Sequence, residues 1–203
     1  ATNSGKSSLL NALAEYIGKR ERVITIEDSA ELQLFHVENL VRLETRNANM
    51  EGENEITMQD LIKASLRMRP DRIIVGEVRG AEAMSMLQAL STGHSGSVSS
   101  IHANSCRDAL RRLETMVLMG MDMPLAAIQG LIASSVDILI HLGRLTTGKR
   151  KILEICEIKD YSRAEYDIRT LFQYKAGQTE SLEMTGKLFH TEKLKSYGQY
   201  ENY

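Results

Sequence analysis

The chain opens with Ala1-Thr2-Asn3-Ser4-Gly5-Lys6-Ser7-Ser8. It matches the phosphate-binding pattern G-x-x-x-x-G-K-[ST] from the second position onward, and a glycine immediately upstream of Ala1 would complete it. Gly5 lets the backbone curl tightly, so that successive N–H groups point at one anion. A helix that follows the loop adds its positive N-terminal end to the same place.

The residues of this loop have separate predicted tasks. Lys6 can reach the β- and γ-phosphates of a nucleotide, and the Ser7 hydroxyl can ligate Mg²⁺. The alternative is an ordinary Gly-Lys-Ser turn before a helix, without any ligand. The candidate nucleotide-binding residues of the loop are Thr2, Asn3, Ser4, Gly5, Lys6, Ser7 and Ser8.

Hydrophobic periodicity beyond the loop predicts strands that alternate with helices. A strand is expected to precede a phosphate-binding loop, and the sequence contains none before Ala1. Strands and helices in this alternation predict an α/β fold with a largely parallel sheet. The predicted strands are 23–26, 40–43, 73–75, 97–101, 136–142 and 152–158, and the predicted helices are 6–17, 57–69, 80–90, one from 105 and 124–134.

Composition and charge narrow the functional class. The 203 residues are 42% hydrophobic and 26% charged, which is typical of a globular domain. The net charge of −2 provides no basic field for nucleic acid, so no direct nucleic-acid contact is expected. The most apolar window, 125–142, contains polar and acidic residues, which favours a helix and a buried strand over a membrane span. Cys106 and Cys156 show neither metal-ligand spacing nor a disulfide framework.

Acidic side chains follow two of the predicted strands. Glu27 and Asp28 end the strand 23–26, with Glu31 nearby, and Glu77 follows the apolar run 73–75. Ligands bind at the carboxyl ends of strands in open α/β sheets, so these carboxylates are expected beside the loop. Glu77 could hold Mg²⁺ through water or orient an attacking water molecule. The alternative is that these acids are solvated caps of strand ends.

Histidines and arginines complete the set of candidates. His102 ends the predicted strand 97–101 and could sense a γ-phosphate, whereas His94 lies in a glycine-rich loop. Zinc is not expected at either histidine, because no further ligand has suitable spacing. Arg42, Arg46 and Arg79 could meet phosphate charge from a neighbouring subunit. The alternative is that they form surface ion pairs, which contribute roughly 0–1 kcal/mol each.

Four segments in order resemble the secretion ATPase superfamily of type II and type IV secretion and type IV pili. The resemblance runs from Ala1 to about Ile158. The stretch 36–46 resembles the branch of CpaF-type ATPases in particular, which serve Tad/Flp pilus assembly. The segments are Thr2 to Ser8, which resembles the Walker A loop, 26–32, which resembles the Asp box, 66–80, which resembles the Walker B segment, and 92–104, which resembles the His box.

The resemblance implies a RecA-like P-loop NTPase core that hydrolyses ATP with Mg²⁺. Glu77 would be the catalytic glutamate, which also holds Mg²⁺ through water, and Glu27 the Asp-box acid. His102 would lie near the γ-phosphate, and Arg42 and Arg46 match positions that in relatives reach the nucleotide region. The family also implies an N-terminal domain over the nucleotide, which is missing here together with the first P-loop strand.

The resemblance also implies a working context. The protein would act as a homohexamer on an inner-membrane platform or a secretion channel, cytoplasmic and peripheral to the membrane through its partners. Residues 1–158 would form the ATPase domain and residues 159–203 a small appended C-terminal subregion. Two other functions stay open: a RecA-like DNA-handling motor, such as one for conjugative DNA transfer or a helicase, and a nucleotide-gated scaffold that does not hydrolyse.

Overall fold

The computed structural model describes residues 4–162, 165–177 and 180–192, so Thr2 and Asn3 of the loop lie outside the described residues. Helices and strands alternate through the first two thirds, and strands follow one another in the last third. In chain order the elements are α1 Lys6–Ala14, β1 Arg22–Glu27, β2 Asn39–Glu44, α2 Met58–Ser65, a 3₁₀ turn Leu66–Met68, β3 Arg72–Val75, α3 Glu82–Ser91, β4 Val98–Ser99, α4 Cys106–Gly120, α5 Leu125–Ser135, β5 Ile138–Arg144, β6 Arg150–Ser162, β7 Glu165–Lys175 and β8 Ser181–Met184.

The first four strands form one parallel sheet in the order β2-β1-β3-β4. Its central strands are buried on both faces, because helices cover each side. Alternate residues therefore serve two cores. Ile24 and Ile73 belong to the large core that α2 to α5 form, whereas Val23 and Ile74 pack with Leu10 of α1 on the opposite face. The predicted α/β fold with a parallel sheet is confirmed.

Local sequence signals set the helix starts as predicted. Asp60 N–H donates to the Thr57 hydroxyl at 3.2 Å, and Thr57 N–H donates back to an Asp60 carboxylate oxygen at 3.1 Å. This reciprocal pair is a capping box, which satisfies donors that a helix start would otherwise leave unpaired. Ser105 caps α4 in a similar way, accepting from Asp108 N–H at 3.0 Å.

A second sheet, which the sequence did not predict as a separate unit, follows the helices. It is antiparallel, in the order β5-β6-β7-β8. The predicted boundary between residues 158 and 159 lies inside β6, which pairs with β7 on both sides of that point. One face of β7 and β8 is solvated, so apolar residues recur there only at alternate positions and give a weak sequence signal.

A chain of hydrogen bonds fastens the antiparallel sheet to the helices. The Tyr166 hydroxyl and the Gln129 side-chain amide each donate to Glu114 Oε1 at 2.9 Å. The Tyr161 hydroxyl in turn donates to Gln129 Oε1 at 2.6 Å. Ile158 is buried in the large core. The two sheets therefore share one core through α4 and α5.

Glu157 is a buried acid with a structural task. Its side chain is 1% exposed, and its two oxygens accept the backbone N–H groups of Phe189 and His190 at 2.7 Å each. A buried carboxylate is tolerated when hydrogen bonds replace its hydration. Glu157 therefore holds the segment after β8 against β6.

Within the described ranges, no helix combines the length and the apolar character that crossing a membrane requires.

We expect Glu157→Ala to lower the free energy of unfolding by about 2–4 kcal/mol, because two buried N–H groups lose their acceptor. Glu157→Gln should cost less, since one oxygen acceptor remains. The exposed Glu38→Ala is the control and should change stability by less than about 0.5 kcal/mol. Urea unfolding followed by circular dichroism measures all three. Equal stability of Glu157→Ala and Glu38→Ala would contradict this role.

Candidate nucleotide-binding site

The carboxyl ends of β1, β3 and β4 meet the N-terminus of α1 at one edge of the parallel sheet. A cavity of about 460 Å³ opens there, within the size range of small-molecule sites. The sheet order explains the meeting, because parallel strands end on the same side. The predicted site residues that line the cavity are Ser4, Gly5, Lys6, Ser7, Ser8, Glu27, Glu77 and His102.

The phosphate-binding loop has the backbone that the sequence predicts. Gly5 adopts φ of 94°, a left-handed conformation that side chains disfavour, and it begins α1 without a side-chain cap. The first N–H groups of a helix have no partner within it. These donors and the positive end of the helix therefore face the cavity beside Lys6, an arrangement suited to an anion.

Glu77 lies at the centre of a charged cluster. Its Oε1 is 3.8 Å from Lys6 Nζ and 2.5 Å from His102 Nε2. Its Oε2 accepts from Arg79, with Nη2 at 2.7 Å and Nε at 2.8 Å. The Glu77 side chain is only 17% exposed, so these groups replace much of its water. The cluster brings together the phosphate-binding loop and the ends of β3 and β4.

Burial and the neighbouring charges act in different directions on the pKa of His102. Burial lowers the pKa of His102 below its usual value of 6.5; Glu77 counteracts this effect, and the positive charge of Lys6 adds to it. Lys6 Nζ lies 3.4 Å from His102 Nε2. The imidazole is therefore neutral at pH 7, and a neutral ring can hydrogen-bond without adding charge.

Glu27 organises the segment that follows β1. Its side chain is buried, and Oε1 accepts the backbone N–H groups of Glu31 and Leu32 at 3.1 Å each. A Cβ added to Gly76 would lie 3.0 Å from Glu27 Cγ, so the absence of a side chain at Gly76 admits the acid. Glu27 thus holds the loop that forms one wall of the cavity.

The oxygen ligands that Mg²⁺ prefers are present in this wall. The Ser7 hydroxyl donates to Glu31 Oε2 at 3.2 Å, and Asp28 and Glu31 line the same cavity. Mg²⁺ binds hydroxyl and carboxylate oxygens with water and phosphate oxygens. The residues present therefore fit a nucleotide with Mg²⁺: donors and Lys6 for phosphate, and oxygens beside Ser7 for the metal.

The arginines occupy three different places. Arg42 Nη1 donates to the Leu32 carbonyl at 3.1 Å, and Arg46 Nε donates to the Asn54 carbonyl at 2.9 Å. Neither is among the described residues that line the cavity. Arg79 does line it, and its Nη1 lies 3.6 Å from Asp28 Oδ2. Arg79 thus joins two of the acidic segments.

Ser100 and Arg150 line the cavity but are not among the sequence candidates. The Ser100 hydroxyl donates to the Gly76 carbonyl at 2.6 Å and so fastens β4 to the end of β3. Its place near a strand end could have suggested it. Arg150 reaches the cavity from β6, with Cδ 3.4 Å from where a Gly5 Cβ would lie. No motif marks Arg150, because it comes from the antiparallel sheet.

We expect the imidazole of His102 to titrate with a midpoint below 6.5. Lys6→Met should raise the midpoint by removing a positive charge, and Glu77→Gln should lower it by removing a negative one. NMR titration of the histidine resonances measures this, with His102→Gln to assign the signal. Because the folded state binds fewer protons here, the associated stability is lost as pH falls from 6.5 through the folded pKa. A midpoint above 6.5 would contradict the account.

Comparison with known proteins supports the family resemblance that the motifs indicate. A family model described as "Type II/IV secretion system protein" matches residues 1–194. The putative conjugal transfer protein Rv3659c of Mycobacterium tuberculosis is 41% identical over 158 residues, which are 78% of this chain and 44% of that protein. The type IV secretion system protein PtlH of Bordetella pertussis is 37% identical over 159 residues, 76% of this chain and 47% of that protein.

A solved structure extends the similarity to the fold. The VirB11 ATPase of the Brucella suis type IV secretion system, in complex with sulphate, has a TM-score of 0.69 and 36% identity, covering 77% of this chain and 46% of that chain. The chain thus spans about half the length of the curated relatives it matches. Because the family model matches almost the whole sequence, this chain belongs to the type II/IV secretion system protein family, the superfamily of secretion ATPases.

Proposed function

We propose that this chain is the nucleotide-hydrolysing core of a homohexameric ATPase motor that drives pilus assembly or type II/IV secretion. This proposal rests on one cavity, in which the phosphate-binding loop, Glu27, Glu77 and His102 meet. Each motif alone has an ordinary structural explanation. Their convergence beside the N-terminus of α1 is the arrangement that phosphoryl transfer requires.

Phosphate binding would use the loop and the cations. When bound, Mg²⁺-ATP contributes the phosphoryl group and the metal charge. Lys6 now pairs with Glu77 at 3.8 Å, a distance too long for a strong hydrogen bond. Its ammonium group can therefore turn to a phosphate oxygen at small cost. Ser7 and the neighbouring acids would hold the metal, and Thr2 and Asn3 would complete the loop around the phosphates.

Water activation would use Glu77. A carboxylate within the cavity can accept the proton of a water molecule as that water attacks the terminal phosphorus. Arg79 binds one carboxylate oxygen of Glu77 and so sets the direction of the other, Oε1. Neutral His102 beside Oε1 can donate a hydrogen bond to phosphate without neutralising Glu77. Hydrolysis converts ATP and water to ADP and phosphate.

Assembly would complete the motor. Arg42 and Arg46 do not line this cavity, and we propose that they reach the nucleotide bound by a neighbouring subunit of the hexamer. We propose that the ring works at the cytoplasmic face of the membrane against an inner-membrane platform or a secretion channel. The 36–46 stretch supports a CpaF-like pilus role, and the relatives named for type IV secretion support a secretion role.

A DNA-handling motor is a second candidate, favoured by one observation. A relative 41% identical is named a putative conjugal transfer protein. The net charge of −2 argues against direct contact with DNA, because phosphate binding needs clustered positive charge. Even in a conjugation system, the motor could act on protein partners. A scaffold that binds nucleotide without hydrolysis is the third candidate, and Glu77 in the cavity argues against it.

We expect Glu77→Gln in the full-length polypeptide to lower Mg²⁺-dependent ATP turnover by about 10²–10⁴-fold while ATP binding persists, because the amide cannot accept a proton. Turnover of the wild type should rise cooperatively with protein concentration. The exposed Glu38→Gln is the matched control and should turn over like the wild type. Phosphate release measures turnover.

The same assay separates the candidates. Turnover that single-stranded DNA does not change supports the protein-directed motor, whereas stimulation that salt abolishes would favour the DNA motor. Nucleotide binding with turnover absent in the wild type would contradict the motor and favour the scaffold. Turnover that Glu77→Gln leaves intact would remove the proposed role of this acid.

A further inference from the structure

Two cysteines that are distant in sequence meet where α4 joins the antiparallel sheet. Cys106 is the first residue of α4, and Cys156 lies within β6; their exposed fractions are 2% and 1%. Their sulfur atoms lie within 4.8 Å of each other. The spacing in the sequence predicted no metal site, because the fold and not a local motif brings the two together.

A carboxylate completes the cluster. Glu154 precedes Cys156 by two positions on β6, and its Oε2 accepts from Cys106 N–H at 3.4 Å. One carboxylate oxygen and the two sulfur atoms all lie within 4.8 Å of one another. Among the described residues, these three are the ones whose potential metal-ligand atoms come this close together.

Ordinary core packing explains only part of this arrangement. Buried free cysteines behave as small apolar side chains and need no acid beside them. Here the other polar contacts of the sulfurs are long: 3.7 Å from Cys106 Sγ to the Leu139 carbonyl and 3.7 Å from Cys156 Sγ to Thr170 Oγ1. The Glu154 carboxylate accepts the Cys106 N–H and lies beside both sulfur atoms, so it presents an oxygen to the same space as the two thiols.

We propose that Cys106, Cys156 and Glu154 bind one Zn²⁺ ion, with water as the fourth ligand. Zinc takes thiolate sulfur at about 2.3 Å and carboxylate oxygen at about 2.0–2.2 Å in tetrahedral sites. Ligand atoms that already lie within 4.8 Å need only close slightly around such an ion. Two sulfur ligands select a borderline-soft metal over Mg²⁺, which prefers oxygen alone.

The surroundings provide a route for the ion and its water. A cavity of about 150 Å³ is lined by Cys106, Ser105 and His141 among others. His141, which lines the same cavity, pairs directly with Glu154 across β5 and β6. Each thiol that binds as thiolate releases its proton to the solvent.

Bound zinc would join α4 to β6 at a position close to the nucleotide cavity. His102 precedes Cys106 by four residues, on the segment between β4 and α4. An ion at Cys106 would therefore steady the end of that segment. Zinc binding itself requires no hydrolysis, so its test is independent of the proposed motor.

The test is a titration of chelator-treated protein with Zn²⁺ in competition with a coloured chelator, and with Co²⁺ as a spectroscopic probe. We expect one ion per chain and a thiolate-to-cobalt charge-transfer band. Cys106→Ser and Cys156→Ser should each weaken zinc binding by about 100-fold, and Glu154→Gln by roughly 10–100-fold. In the unaltered chain, saturating Zn²⁺ should slow alkylation of both thiols at least roughly tenfold, which needs no variant.

An exposed histidine supplies the matched control. His36 Nε2 lies 3.1 Å from Glu15 on the surface, a pair that could bind zinc adventitiously, and His36→Ala should keep the full affinity. The proposal is overturned by loss of binding in His36→Ala alone, by a cobalt spectrum without the thiolate band, or by equal alkylation with and without Zn²⁺. A Cys106–Cys156 disulfide that an oxidant forms equally fast in the presence of Zn²⁺ would also overturn it.

Discussion

The nucleotide site depends on the contact of Glu77 with Lys6, His102 and Arg79. Lys6 and Arg79 carry the charge opposite to that of Glu77, and such attraction is stronger at a partly buried site than in water. The three side chains come from the first residue of α1, from the segment after β4 and from the turn after β3. One acid thus determines the relative positions of three segments that are far apart in the chain.

The parallel sheet makes that contact possible. β1 and β3 are buried on both faces, which leaves their carboxyl ends as the places where polar groups reach solvent. Glu27 shows how tightly this edge is built, because its Cγ lies only 3.0 Å from where a Cβ at residue 76 would be. The antiparallel sheet contributes from the other side. Arg150 enters the cavity from β6, so the site joins both sheets even though its motifs belong to one.

The sequence predicted features that depend on local chemistry. The capping box at Thr57, the buried strands around Ile24 and Ile74, and the meeting of the loop with Glu77 all follow from short-range patterns or from parallel strand order. Features that depend on long-range pairing could not be predicted from the sequence. The antiparallel sheet has polar faces that weaken its pattern, Arg150 carries no motif, and Cys106 and Cys156 become neighbours only through tertiary packing.

Isothermal titration of the chain with ATP tests whether this cavity binds a magnesium nucleotide. We expect one ATP to bind per chain in the presence of Mg²⁺. Lys6→Ala should weaken binding by about 10–150-fold, the scale of a hydrogen bond to a charged group, and the exposed Lys19→Ala should bind like the unaltered chain. Equal affinity of Lys6→Ala and Lys19→Ala, or absence of binding in all three, would contradict the account.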